Sequence, residues 1–117
     1  MKTVIEQTFY LMVQTQIYHW LTKNINVHET LGIFYEGLQK NVDALAENFL
    51  SNKNQLNGEF DLNFEYTYDE QKLMSLLTDY KVELEGHLDM EHPETIKDSL
   101  LVLLQLTDKT IYLLGFE

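Results

Sequence analysis

The amino-acid sequence predicts an all-α fold, with four helices packed as a bundle. Four segments repeat apolar residues at steps of three and four, the period of an amphipathic helix. Between the second and third helices, one segment alternates apolar and polar residues and is therefore predicted to be extended. With 117 residues, 44% of them hydrophobic, the chain can bury one core but is too short for two ordinary domains. Residues 1–117 are thus expected to form a single domain.

The first helix is predicted over about residues 4–21, and the second begins near Asn26. Asn is a favourable N-cap residue, and Glu29 stands three positions later, as in a capping box. The stripe of the second helix continues for more than three heptads, so this helix is the most regular of the chain. The apolar positions are Ile5, Phe9, Met12, Val13, Ile17, Trp20 and Leu21 in the first helix, and Val27, Leu31, Phe34, Leu38, Val42, Leu45 and Phe49 in the second.

The alternating segment, EFDLNFEYTY at residues 59–68, decides the predicted topology. About sixteen residues separate the second and third helices, whereas antiparallel neighbours need only two to eight. An extended segment of that length could reach about 50 Å, more than the roughly 33 Å of a 22-residue helix. We expect a long extended crossover that leaves the second and third helices parallel. A β-arm exchanged with a second subunit is the alternative.

The third and fourth helices follow this segment. Thr67 with Glu70 has the spacing of a capping box, and Pro93 fits the first turn of the last helix. A polar cluster before Pro93 lacks the Glu-x-x-His spacing of di-iron bundles, so we predict a solvated turn there. The cluster comprises His87, Asp89, Glu91 and His92. The helical stripes are Leu73, Leu76, Leu77, Tyr80, Leu84, His87 and Leu88, then Ile96, Leu100, Leu103, Leu104, Thr107, Ile111 and Leu114.

Charge and composition restrict the classes of function that the chain is expected to have. Nineteen acidic residues against eight basic ones give a net charge of −11, and all eight basic residues are lysines. We expect no nucleic-acid binding, because phosphate would be repelled and the guanidinium fork is absent. The negative potential attracts cations, although solubility alone also explains an acidic surface. No apolar run approaches the roughly twenty residues of a membrane span, and the N-terminus does not resemble a signal peptide, so a soluble cytoplasmic protein is expected.

Two histidines and two acids form a candidate metal-ligand set: His19, His28, Asp43 and Glu47. The chain contains no cysteine, so nitrogen and oxygen ligands alone are available. His28 and Asp43 lie fifteen residues apart on one predicted helix, about 22 Å, and cannot bind one ion within a subunit. Two antiparallel copies of that helix about a twofold axis would bring His28 of one subunit near the acids of the other. The site would then belong to a homodimer.

The same residues resemble the Dps branch of the ferritin-like proteins. In that family a Tyr-His-Trp near the end of the first helix precedes a second helix that starts near another His and carries Asp and Glu fifteen and nineteen residues on. The matching residues here are Tyr18-His19-Trp20, His28, Asp43 and Glu47, with Ala46-Glu47 continuing the Asp-x-x-Ala-Glu signature. Asp98 and residues 107–114 resemble the family's last helix. The chain departs from the family at Gly32, where an acid is usual, and in a shorter loop between the histidines.

The resemblance implies a ferritin-like bundle that binds iron, or zinc in its place, and a ferroxidase reaction in which oxygen or peroxide oxidises Fe(II). The family forms twelve-subunit shells that store mineral. The usual short helix between the second and third helices is missing, and we therefore expect a dimer instead of the dodecamer. The lysine-rich tail through which many family members bind DNA is also missing, since only Lys2 lies near one end and Gly115-Phe116-Glu117 form the other. The alternative is a non-catalytic interaction or regulatory protein, for instance from a phage, that keeps the fold with a degenerate metal site.

Overall fold

The computed structural model describes residues 1–115, which form four α-helices; Phe116 and Glu117 lie outside the described residues. The helices are α1 (Lys2–Leu21), α2 (Ile25–Ser51), α3 (Glu70–Leu88) and α4 (Glu94–Leu114). The predicted all-α fold with four helices is confirmed. Gly115 ends α4 with a φ of 68°, a left-handed conformation that glycine adopts without strain.

Each helix packs against two others: α1 contacts α2 and α3, and α4 contacts α2 and α3. Two side-chain hydrogen bonds fix the direction of α2 relative to α4. Asn26 Nδ2, in the first turn of α2, donates to Leu113 O at the end of α4 over 2.9 Å. Asn48 Nδ2, near the end of α2, donates to Ser99 Oγ in the first part of α4 over 3.5 Å. The two helices are therefore antiparallel.

The core lies on the predicted stripes of α2, α3 and α4 and on only part of that of α1, where Ile17 is buried. Phe9 and Trp20, which the periodicity of α1 assigned to the core, are 43% and 63% exposed. The buried face of α1 instead mixes apolar and polar side chains, and each buried threonine of this helix donates its hydroxyl to the carbonyl oxygen four residues earlier. The buried face comprises Val4, Thr8, Leu11, Gln14, Thr15, Ile17 and Tyr18. As a result α1 has a second, apolar face outside the core.

Both predicted capping boxes are wrong by two residues. Asn24, in an extended conformation, caps α2 by accepting a hydrogen bond from Val27 N over 3.2 Å. Asn26 already lies inside the helix, where an N-cap cannot be. The cap of α3 is Asp69, which accepts from Lys72 N over 3.1 Å, whereas Thr67 lies two residues before the cap and outside the helix. Asn24 and Asp69 are also favourable N-cap residues and lie two positions from the predicted caps, so the sequence alone did not distinguish the alternatives.

Residues 52–69 connect α2 to α3, and no β-strand is assigned among residues 1–115. The backbone of Glu65 pairs with a side chain of α1 instead of another strand: Gln14 Nε2 donates to Glu65 O over 3.0 Å, and Glu65 N donates to Gln14 Oε1 over 2.9 Å. Phe64 stacks on Tyr10 with ring centroids 5.4 Å apart, while Tyr66 is 74% exposed. The alternating segment therefore forms no β-strand among residues 1–115, while part of the alternation is kept in burial, and the long extended crossover stays a prediction.

Candidate metal centre

His19 and His28 meet where α1 ends and α2 begins. Their imidazole rings stack with centroids 3.9 Å apart and planes 14° from parallel. Each ring also binds the backbone of the other residue: His19 Nδ1 donates to His28 O over 2.5 Å, and His28 Nδ1 donates to His19 O over 2.7 Å. The short loop of residues 22–24 brings the two helix ends close enough for this reciprocal pairing.

The reciprocal bonds define the chemistry of both rings. A carbonyl oxygen can only accept, so each Nδ1 carries a proton, and in the neutral ring the lone pair then lies on Nε2. Histidines that bind metals in proteins are commonly held in this way, with one ring nitrogen donating to a carbonyl and the other free to coordinate. No side-chain hydrogen bond within residues 1–115 uses either Nε2 atom. The orientation of both imidazoles is thus compatible with metal coordination through Nε2.

The stacking limits how the two rings can share metal. A lone pair on Nε2 lies in its ring plane, and an ion such as zinc binds along it at about 2.0–2.1 Å. Since the two planes are nearly parallel and the rings are stacked, a single ion cannot lie in both planes. The arrangement suits one ion for each imidazole, side by side, better than one ion held by both.

Gly32 lies against the His19 ring, and this contact gives a physical reason for the departure from the Dps pattern. A Cβ at Gly32 would lie 3.1 Å from His19 Cε1 and 3.3 Å from Nδ1, closer than an ordinary carbon contact. An aspartate or glutamate here would therefore push the ring away from its present position. Tyr35, one turn further on, meets the same ring edge-on with centroids 5.4 Å apart.

Asp43 and Glu47 are exposed on α2, far from the histidines of their own chain. Within residues 1–115, no three side chains of His, Asp or Glu converge on a point where they could hold an ion. The structure therefore brings together two of the four predicted ligands, His19 and His28, and leaves the two acids separate. A site built from all four residues would need a second copy of the chain, and this stays a prediction.

A groove between α1 and α2 lies next to Asp43. It has a volume of about 570 Å³ and is partly closed by residues 56–60 of the connection. Apolar side chains form most of its wall, and the carboxylates of Glu6, Asp43 and Glu59 stand among them. We call it the α1–α2 groove. Its apolar wall is formed by Ile5, Phe9, Met12, Val42, Ala46, Leu56 and Phe60.

A second pair of histidines, His87 and His92, lies at the turn between α3 and α4, at the opposite end of the helices from His19 and His28. His87 is buried, and its Nδ1 lies 3.3 Å from His92 Nε2, while its Nε2 lies 3.4 Å from Glu83 Oε1. Burial, followed by the nearby His87, lowers the pKa of His92 below its usual value. The predicted solvated turn holds for Asp89 and Glu91, which are exposed, but not for His87. The helical stripe of α3, which includes His87, was the signal that indicated its burial.

Several tyrosines pack in the interior instead of reaching the surface. Burial raises the pKa of Tyr18 to about 12, with Glu65 as the next cause. The hydroxyls of Tyr18 and Tyr68 are buried and find no hydrogen-bond partner within residues 1–115. The two rings meet edge-on with centroids 5.4 Å apart. Tyr18, the residue before His19, is thus part of the core.

Comparison with known proteins found no matching family model, no matching curated protein and no matching solved structure. Of the four helices within residues 1–115, none has the length and apolarity to cross a membrane.

Proposed function

We propose that this protein binds iron at a site shared by two subunits, with His19 and His28 from one chain and Asp43 and Glu47 from the other. The observation that supports it is the stacked histidine pair, in which both Nδ1 atoms are occupied by backbone carbonyls and both Nε2 atoms are free to coordinate. Mixed imidazole and carboxylate ligation suits Fe(II), and zinc in its place. The net charge of −11 favours cation uptake and disfavours nucleic acid.

The fold proposed for this function is a ferritin-like bundle in which residues 52–69 cross over between parallel helices α2 and α3. The antiparallel pairing of α2 with α4, seen at Asn26 and Asn48, supports this topology. The short turn of residues 89–93 makes α3 antiparallel to α4, as is usual for helices joined by short loops. Two helices that are both antiparallel to α4 run parallel to each other.

Iron is a substrate in this proposal. One ion beside each imidazole would place two Fe(II) ions side by side, and each can give up one electron. Together they supply the two electrons that reduce one hydrogen peroxide, with two protons, to two waters, leaving two Fe(III). The residues of the chain would bind and orient the ions, while the partner's carboxylate oxygens neutralise part of their charge.

Anaerobic titration calorimetry with Fe(II), and with Zn(II), tests the proposal. We expect two ions per histidine pair in the wild-type chain. Specific binding of both should be lost in His28→Ala and in Asp43→Ala, because a set that lacks one of its four ligands is too weak to compete with water. Asp79→Ala removes an exposed acid of α3 and serves as the matched control. Unchanged affinity and stoichiometry in both ligand variants would contradict the assignment.

A positioning variant complements the ligand variants. Gly32→Ala keeps all four ligands but places a Cβ 3.1 Å from the His19 ring, so it should weaken binding without removing a ligand. Gly86→Ala is the control, because a Cβ there meets nothing within 4 Å. Equal metal affinity in the two variants would mean that the position of His19 does not matter for binding.

A non-catalytic interaction protein, for instance from a phage, is the second candidate. It is favoured by one observation, that no three potential ligands converge within residues 1–115 of a single chain. The same titrations decide between the two, since this candidate predicts no specific metal binding at any protein concentration. Light scattering adds the assembly state: a dimer is expected, and a twelve-subunit particle would restore mineral storage to the proposal.

A cytoplasmic location is proposed together with this function, on the absence of cysteine and of a membrane-spanning helix within residues 1–115.

A further inference from the structure

Trp20 is an exposed aromatic residue beside the metal centre. It is the single tryptophan of the chain, follows His19 directly, and is 63% exposed at the end of α1. Aromatic side chains are costly to leave in water, and tryptophan is the residue most enriched among the energetic centres of protein interfaces. Trp20 is therefore a candidate anchor for a contact with another molecule.

Trp20 shares a face of α1 with the α1–α2 groove. Phe9, which lines the groove, lies eleven residues before Trp20, and eleven steps of 100° return to within about 20° of the same direction. The two side chains are separated by about 16 Å along the helix. An exposed apolar knob and an apolar groove thus lie on one surface, too far apart to meet within one chain.

A twofold axis would bring the knob of one subunit to the groove of the other. The axis must pass midway between Trp20 and groove residues 5–12, at the height of about residue 14 of α1. The proposed metal site places the axis independently, midway between His28 and residues 43–47, at about residue 36 of α2. His19 lies beside residues 28–32, so in these antiparallel helices residue 14 lies beside residues 33–37. The two requirements therefore place the axis at the same level along the helices.

The geometry points to a second copy of this chain as the occupant of the α1–α2 groove, with Trp20 of each subunit inserted into the groove of its partner. This inference rests on the proposed function, because the proposed metal site supplies one of the two estimates of where the axis lies. The groove offers a chemical match, because a buried indole N–H needs an acceptor, and the groove contains the carboxylate of Glu6 and the amide of Gln39. Insertion next to Asp43 would also carry the adjacent His19 toward that carboxylate.

Fluorescence tests the insertion directly, because emission excited selectively from tryptophan reports on Trp20 alone. On raising the protein concentration through the monomer–dimer transition, measured in parallel by sedimentation, we expect the emission to move to shorter wavelength. Quenching by acrylamide should fall over the same range. A dimer in which Trp20 keeps the emission and quenching of an exposed indole would overturn the inference.

Two pairs of variants locate the contact. Trp20→Ala should raise the dimer dissociation constant by roughly thirtyfold for each of the two symmetry-related grooves, whereas Tyr112→Ala, which removes an exposed aromatic residue of α4, should not. Ala46→Phe fills the groove and should prevent dimer formation, whereas Ala44→Phe lies on the exposed side of α2 and should not. Circular dichroism of each variant confirms that the helices are retained.

The outcomes separate this inference from the proposed function. A dimer with buried Trp20 that binds no metal would overturn the proposed function and leave the insertion standing. Metal binding by a dimer that Trp20→Ala and Ala46→Phe do not weaken would overturn the insertion alone. A chain that remains monomeric at all concentrations would overturn both.

Discussion

Replacing Gln14 by alanine should loosen the connection between α2 and α3. The Gln14 side chain is fully buried and exchanges two hydrogen bonds with the backbone of Glu65, at 3.0 and 2.9 Å. Each such bond stabilises a fold by about 1 kcal/mol net, and a buried backbone group left without a partner costs about 1–3 kcal/mol more. Because Glu65 is half-buried and water can replace part of the loss, we expect the free energy of unfolding to fall by about 2–3 kcal/mol. That is a large share of the roughly 5–15 kcal/mol that stabilises an ordinary domain.

Urea denaturation measures the change, and hydrogen exchange localises it. The Glu65 amide should exchange much faster in Gln14→Ala than in the wild type, because its acceptor is gone. Gln16→Ala is the control on the same helix, since Gln16 is half-buried and makes no side-chain hydrogen bond within residues 1–115. A loss below about 0.5 kcal/mol, or equal losses in the two variants, would refute the reasoning.

Two further predictions concern packing and pH. Gly37→Ala places a Cβ 2.6 Å from Leu106 Cδ2 and should destabilise the α2–α4 contact by about 1–3 kcal/mol. Gly86→Ala, in open space, should stabilise its helix by about 0.5–1 kcal/mol. Thermal denaturation measures both, and a change of stability with the same sign in the two variants would contradict the prediction. The lowered pKa of His92 means that the folded state binds its proton less readily than the unfolded state, so this contribution to stability is present above about pH 6.5 and is lost on acidification through the lower, folded pKa. Unfolding free energies measured across that range should therefore decrease toward low pH less steeply in His92→Gln than in the wild type, and identical slopes would assign the dependence to other groups.

The helices could be predicted from local patterns, but the identity of the buried face of α1 could not. The stripes of α2, α3 and α4 have one apolar side each, and residues such as Phe34 and Leu103 are buried as expected. Helix α1 has two apolar sides, and the choice between them depends on partners elsewhere in the chain. Gln14 is buried because its amide matches the backbone of Glu65, a contact between residues 51 apart, which no local window contains.

The candidate site was predictable in part for the same reason. His19 and His28 were predicted as ligands from the same subunit, and the structure brings them together on either side of the short loop. Their stacking and their bonds to each other's carbonyl oxygens depend on Gly32, which the sequence presented only as a missing acid. The burial of His87 and its contact with His92 followed from packing at the α3–α4 turn, where polar neighbours had indicated exposure.

Mixing two inactive variants tests the shared site most directly. In a heterodimer of His28→Ala and Asp43→Ala chains, one site has both histidines from the Asp43→Ala chain and both acids from the His28→Ala chain, so it is complete, while the other site lacks a ligand from each side. The account predicts that neither variant alone binds Fe(II) or Zn(II) specifically and that the isolated heterodimer regains half of the wild-type stoichiometry. A heterodimer that binds no metal, although the wild-type dimer does, would contradict a site built from two chains.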